Sequence, residues 1–530
     1  VPAPDRYDAL IIGGGHNGLV CAFYLARAGR RVCVLEAHHT PGGAAVTEEF
    51  HPAYRNSVAS YTVGLLAPEV IEDMALHTHG LEIRLRPAAN FLPTTDGQSL
   101  LLHNDLDASC EEIAQHSQAD ADHYPVYLRE LGEIAVALGE LARRAPPDPV
   151  GGVGDSLALL RDALRLRRLG RGAMELLGTL LGGSAAQLLE SRFESPLLKA
   201  ALGFDAVVGS NASPMASGSG YVLLHHVFGE TLGVRGAWGH AVGGMGAITQ
   251  AMARACEAQG VSIRCESPVS SLLTEQGRCI GVRLRDGETL HARQVGAAIN
   301  PRALFTQLMP DTALPEAFAR RMANWRCDSA SLRMNLALDS LPRFAARPEA
   351  GTHLGAGIVL APSLEHMDRA WLESRLYGWS RRPVVEMLLP STIDDTLAPA
   401  GGHVASLFCQ FFPYELPDGR CWDEARDAAV HDILEWVEVF APGLRGSVIG
   451  QQVFTPLDLE RRFGLTHGDI FHGAMSLDQL WAMRPALGYG DYQMPLPGLY
   501  LCASGAHPGG GVTGLPGRNA ARAMLASRSP

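Results

Sequence analysis

Three stretches predict an α/β fold whose parallel-sheet core is interrupted twice by a mixed α+β region: an N-terminal strand–turn–helix–strand, its return in the middle, and a final strand feeding a helix. In the first, "YDALII" is a short apolar strand and "NGLVCAFYLARAG" has helical spacing with Gly29 placed to end it. "RVCVLE" is a second apolar strand, so 7–36 reads as one βαβ unit. The middle stretch, "GAWGHAVGGMGAITQAMARACEAQGVSIRCESPVSSLL", gives a glycine-rich turn, a helix ending near Gly260 and strands at 261–265 and 269–273. "CIGVRLRDGETLHARQVGAAIN" alternates as a hairpin turning at Asp286-Gly287. The third stretch, "GLYLCASG", delivers "AHPGGGVTGLPGRNAARAML" to the C-terminus.

The intervening regions differ in kind. Residues 105–230 read as mostly helical, including "DSLALLRDALRLRRLGRG", where Leu157, Leu160 and Leu164 share a face. Residues 310–465 mix strands ("PVVEMLLP", "HVASLFCQFF") with helices ("AVHDILEWVEVFAP"). The expected division is therefore 1–104, 231–309 and 466–530 in one domain, with 105–230 and 310–465 forming a second domain over its ligand.

Composition excludes several classes. The chain has 56 Asp+Glu against 44 Lys+Arg, a net charge of −12, so no basic field gathers nucleic acid. Its ten cysteines show no C-x-x-C pair and no zinc-like spacing, which predicts buried thiols and no metal site. "VPAPDRYDALII" lacks a basic n-region and a long apolar h-region, and "LLGTLLGGSAAQLL" is too short and broken to span a bilayer. A soluble protein, or one resting on a membrane surface, is expected. The arginines at 161, 165, 167, 168 and 171 fit either a solvated helix face, the favoured reading, or a membrane-facing helix.

"GGGHNG" fits G-x-G-x-x-G through Gly13, Gly15 and Gly18. Among 58 glycines such a match carries little by itself, but this one sits at a strand-to-helix turn and is followed, 18 residues past Gly18, by Glu36 ending the next strand. That context predicts a Rossmann-like dinucleotide site. Gly13 permits the turn, Gly15 lets backbone approach a pyrophosphate at the helix starting near Asn17, Gly18 allows close helix–strand packing, and Glu36 accepts from a ribose. A second match at Gly509, Gly511 and Gly514 has only 16 residues after it, too few for a strand with a ribose-binding acid. "AHHTPGGAAV" supplies another backbone approach at Gly42, Gly43 and Ala44, which favours FAD over NAD. The glycines after Gly505 then suit a flavin cradle whose helix N-terminus stabilises charge at N1 and C2=O on reduction; simple closure of the sheet is the alternative.

"DALIIGGGHNGLV", "PGGAAVTEEF" and "GLYLCASGAHPGGGVTG" together resemble phytoene-desaturase-type FAD flavoproteins of the amine-oxidase-like superfamily. "GSGYVLLHHV", "GAWGHAVGGMGA" and "LTHGDIFHGAMSLDQL" extend the likeness, over almost the whole chain, to a pyridine nucleotide-disulfide oxidoreductase-like group of poorly defined substrate. The resemblance implies FAD contacts from Gly13, Gly15, Gly18, Glu36, Gly42, Gly43, Val269, Gly505, Gly511 and Val512. It also implies a mitochondrial location for a eukaryotic member and a cytoplasmic one for a bacterial member. Redox-active cysteines and a second dinucleotide fold are missing from the sequence, which disfavours disulfide chemistry and reduction by NAD(P)H.

Flavin dehydrogenation needs mainly a substrate carbon held in a dry pocket, so a protein base is optional. The histidine candidates are His225 and His226 of "GYVLLHHVFG" and His507 beside the cradle, with His472 of "IFHGAMSLDQL" behind them. Tyr61 is a candidate for the substrate path. The expected activity is a desaturase or oxidase acting on an apolar or amphipathic small molecule, with electrons leaving to dioxygen or a quinone. A non-catalytic isoprenoid-binding protein, an amine oxidase and a flavin-dependent isomerase stay open at this point.

Overall fold

The computed structural model describes residues 6–309 and 314–527. The expected boundary at 310 and the segment 1–5 read for a leader lie outside the described residues. Strands Ser262–Arg264, Val32–Leu35, Arg6–Ile12 and Thr289–Ala297 run side by side in parallel, with Ile12 opposite Leu35 on one side and Ala297 on the other. Ala9, Leu10 and Ile11 are fully buried, as a strand covered on both faces must be. Arg278–Leu284 and Val269–Glu275 continue the sheet as an antiparallel ribbon beside the first half of Thr289–Ala297. Leu499–Leu501 takes the second half in parallel, pairing Val295 with Leu499. Helix His16–Arg27 packs against both Gly246–Ala258 and the C-terminal helix Leu515–Ala526.

A second seven-stranded sheet runs in the order Val448–Phe454, Ser331–Leu338, His403–Gln410, Val384–Leu388, Gly357–Leu360, Asn90–Pro93, Ser99–Leu102. One face carries helix Trp422–Phe440, whose Ile433, Val437 and Phe440 meet Leu332, Met334, Val385 and Met387 in a single core. Phe408 and Val384 join the other core, shared with the helical region Leu106–Val227. Cover on both faces explains why every residue of Ser331–Leu338 is buried, Arg333 included.

One expectation changes here. Asn90–Pro93 and Ser99–Leu102 belong to the second sheet rather than the first domain, because Asn90 and Phe91 pair with Gly357 and Ile358. The chain crosses between sheets on a ribbon in which Ile83–Leu85 pairs with Gly239–Ala241. Leu157, Leu160 and Leu164 do share a face of helix Val153–Leu166, but that face is turned to solvent. Among the described residues no helix is long and apolar enough to cross a membrane.

Candidate active site

A cavity of about 380 Å³ runs between the two sheets, lined at one end by Glu36, Pro268 and Val269 and at the other by Tyr61, Trp238 and Phe408. Its middle is the N-terminus of helix His16–Arg27. Gly13, at φ +95°, makes the turn out of the first strand. A Cβ on Gly18 would stand 2.1 Å from the Gly13 carbonyl oxygen, so close strand–helix packing fixes glycine there. Gly15 is different. A Cβ there meets only the Gly43 Cα at 3.9 Å and otherwise projects into cavity space. Packing does not demand a glycine at 15; room for a ligand does.

Several polar atoms around this point lack protein partners. Gly15 caps the helix without a side-chain hydrogen bond, which leaves the first-turn N–H groups for a ligand. His16 Nε2, Asn17 Oδ1 and His472 Nδ1 are buried with no hydrogen-bond partner, and all three residues line the cavity. Asn17 Nδ2 donates to Ser504 Oγ at 3.2 Å, tying this turn to the C-terminal strand. Burial holds the His16 imidazole down to about 4, and burial, then the nearby His16 and Arg484, holds His472 down to about 3. Glu36 accepts from the Gly14 N–H at 2.7 Å and the His38 N–H at 2.9 Å, so its carboxylate shapes the loop as well as the cavity wall.

Of the other residues singled out in sequence, Gly43, Ala44, Val269, Gly511 and Val512 also line the cavity. Gly42 stands behind the wall, bridged to Gly15 with its N–H on the Gly14 carbonyl. Gly505 is off the cavity too, where a Cβ would strike the Pro301 ring at 2.3 Å. Gly511 lies at φ +104°, and its Cβ would meet Leu65 Cδ1 at 2.5 Å and His225 Nε2 at 3.4 Å. Leu65 and the left-handed φ therefore already restrict Gly511 from the protein side.

The histidines separate. His226 lines the cavity, donates from Nδ1 to the Val222 carbonyl at 2.9 Å and is pushed down to about 4 by burial, so it is neutral at physiological pH. His225, its neighbour on helix Ser219–Val227, points elsewhere and is buried among Tyr221, Phe228 and Phe471. His507 is turned away, with Nε2 against the Leu141 carbonyl at 3.3 Å. His472, ranked behind these in sequence, is on the cavity.

Sequence reasoning missed the support behind the far wall. Tyr61 stacks on Phe408 at 4.9 Å, donates from its hydroxyl to Glu386 Oε2 at 2.5 Å, and carries the Arg333 guanidinium 4.5 Å above its ring. Glu386 also faces Arg86 at 3.5 Å. Its available signal was a lone charge in an otherwise apolar strand, as Glu386 is in "PVVEMLLP" and Arg333 in "SLRMNLAL". Arg484 was also missed. Fully buried, it donates to the carbonyls of Ser504, Phe471 and Gln479, bracing two lining segments against each other.

Comparison with known proteins fits this geometry. An NAD(P)-binding Rossmann-like domain model matches residues 11–71, and a flavin containing amine oxidoreductase model matches residues 153–331. The mouse pyridine nucleotide-disulfide oxidoreductase domain-containing protein 2 is 41% identical over 98% of this chain and 93% of its own. The chain belongs to that family. Within the wider group, the neurosporene-forming phytoene desaturase of Cereibacter sphaeroides is 26% identical over 100% of this chain and 96% of its own. An oxidoreductase from Methanosarcina mazei shares the fold, with a TM-score of 0.61 at 16% identity over 98% of this chain and 100% of its own. Family members are flavin amine oxidase-like oxidoreductases, and the cofactor is FAD. The residues present suit it: Gly15, His16 and Asn17 at the helix N-terminus for the pyrophosphate region, Glu36 and Val269 at one end, and the Gly43–Ala44 and Gly511–Val512 backbones along the cavity.

Proposed function

We propose that the protein is a dehydrogenase or oxidase of apolar or amphipathic small molecules. The observation that carries this reading is the chemistry of the walls: Glu36 is the only acid among the described residues lining the cavity, and it lies at the opposite end from the aromatic wall. Glu386, the carboxylate nearest the far wall, is already engaged by Tyr61 and Arg86. An alkylammonium would find no free anion there, whereas a hydrocarbon chain finds Val208, Leu65, Trp238, Phe408 and Phe471.

Bound FAD supplies a two-electron hydride acceptor. The substrate loses one hydride and one proton as a C–C single bond becomes double, and dioxygen or a quinone takes the electron pair in the second half of the cycle. The chain's part is to hold the substrate and exclude water. His226 and His472 stay uncharged at neutral pH, so they offer polar edges without attracting an ion. Tyr61, locked by Phe408, Arg333 and Glu386, fixes the shape of the far wall.

Anaerobic mixing of the yellow protein with apolar cyclic and acyclic alkenes, and separately with alkyl mono- and diamines, tests the reading. Bleaching of the flavin band by the former and recovery with a quinone or air is expected. Rapid bleaching by amines alone would overturn it.

A further inference from the structure

Helix Val153–Leu166 is built inside out. Val153, Leu157, Leu160 and Leu164 fall on one stripe and are 78%, 62%, 56% and 52% exposed. Its one buried residue is Asp162, held on the opposite side by Arg144. Val150, 71% exposed, stands in the turn just before the helix. A soluble helix turns such a stripe to the core; here the core side is occupied by an ion pair, and the aliphatic side chains are left for something outside the chain.

The flanks of the stripe are cationic. Arg161, Arg165, Arg167, Arg168 and Arg171 are all exposed, in a chain whose net charge is −12. Arg165 pairs with Glu140 at 2.7 Å, and Arg161 stands 4.0 Å from Asp162. Among the described residues, no ion pair involves Arg167, Arg168 or Arg171. The acid in the first turn, Asp155, accepts from the Asp148 N–H and is not turned outward.

We propose that this helix is a membrane-docking element that lies in the surface of an anionic bilayer, its leucines among the acyl chains and the arginines on it and just after it among the phosphate headgroups. The charge pattern decides between this and a second copy of the chain. Two such stripes pressed together would set Arg161, Arg167, Arg168 and Arg171 against their own copies, with the exposed Glu140 already paired to Arg165, whereas anionic headgroups provide the countercharge directly. With 14 residues the helix is long enough to lie in the interface and too short to cross.

Flotation of the FAD-loaded protein with vesicles tests this. It should rise with vesicles of phosphatidylcholine mixed with phosphatidylglycerol, stay behind with phosphatidylcholine alone, and bind less as salt is raised. Leu157→Glu with Leu160→Glu should abolish flotation. Arg167→Ala, Arg168→Ala and Arg171→Ala together should weaken it about a hundredfold, at roughly fivefold per arginine. All five positions are exposed, so flavin content and melting temperature should not move. Failure of the unsubstituted protein to float with anionic vesicles at low salt would overturn the proposal, as would flotation that survives the two glutamates. A concentration-dependent dimer in light scattering that Leu157→Glu dissociates would assign the stripe to a second copy instead.

Discussion

The Asn17 carbonyl oxygen lies 2.1 Å from the point a Cβ on Gly517 would occupy, so the first and last helices of the chain meet backbone against backbone. The contact joins the helix N-terminus in the middle of the cavity to the C-terminal segment, and Asn17 Nδ2 to Ser504 Oγ reinforces it. Gly517→Val should destabilise the whole nucleotide domain by about 2–4 kcal/mol, an overpacking cost with no room to relax. Truncation after Gly505 should go further. It removes helix Leu515–Ala526 with its buried Leu515, Ala520, Ala521 and Met524, so the product should fail to fold rather than persist as a colourless apoprotein. Urea unfolding and expression in soluble form measure both.

Gly15→Val should do the reverse. Gly15 has φ −69° and ψ 170°, which valine adopts readily, and its added atoms enter the cavity instead of the core. The variant should melt within about 1 kcal/mol of the unsubstituted apoprotein yet purify without flavin, because the side chain stands where backbone must approach the cofactor. Calorimetry of both apoproteins and the absorbance near the flavin maximum separate the two effects. A yellow Gly15→Val protein would move the pyrophosphate elsewhere.

What could be read from sequence follows from the range of the forces involved. Gly13, Gly15, Gly18 and Glu36 act within one βαβ unit, so spacing alone carried their roles. Most strands of the first sheet and two of the second were legible as apolar runs, but the membership of Asn90–Pro93 was not, because its partner Gly357–Leu360 is more than 250 residues away in sequence and no local pattern announces it. Histidine roles were the least legible. His225 and His226 are adjacent, and only the direction of helix Ser219–Val227 sends one to the cavity and the other into a nest of aromatics. For Gly511 the sequence pointed to the cavity wall, and the structure adds an obstacle that no local pattern announces, the Leu65 side chain against a left-handed φ.

Acid should weaken the fold before its carboxylates are protonated in bulk. His16, His226 and His507 are held at about 4, and His225 and His472 at about 3, all by burial first. Their folded values lie below the unfolded value near 6.5, so the unfolded chain binds more protons between those limits. Stability is thus full above about pH 7 and falls as pH drops from 6.5 towards 4, by about 1.4 kcal/mol per pH unit for each such histidine. Asp205, raised to about 7 by burial, works in the opposite direction in the same window. The histidines outnumber it. Urea midpoints of the apoprotein should fall between pH 7 and pH 5, and His507→Gln, at a position off the cavity, should flatten the slope without changing flavin binding.

NADPH should not reduce the flavin. Among the described residues, Gly13–Gly18 is the strand–turn–helix turn that suits a dinucleotide, and the glycines at 509, 511 and 514 lead directly into helix Leu515–Ala526. Stopped-flow mixing under nitrogen at sub-millimolar NADPH should leave the flavin band intact over several seconds. Bleaching within that time would require a second nucleotide site in the cavity.

The Tyr61–Glu386 pair makes the most specific energetic prediction. The phenol donates to a carboxylate that is 5% exposed, and burial, then Glu386, keeps the hydroxyl protonated well above neutral pH. A hydrogen bond to a buried charge contributes about 1.5–3 kcal/mol, and removing one partner leaves the other desolvated. Tyr61→Phe should therefore cost about 2 kcal/mol, because Glu386 then keeps only Arg86, at 3.5 Å. Glu386→Gln should cost a similar amount, through the loss of charge beside Arg86 and Arg333. In the double variant the two losses should fall short of their sum by at least 1 kcal/mol, the coupling expected of residues in direct contact. Strict additivity in a urea-denaturation cycle would mean that the phenol and the carboxylate act independently. The wall would then owe its shape to Phe408 and Arg333 alone, and Tyr61→Phe should leave substrate preference untouched.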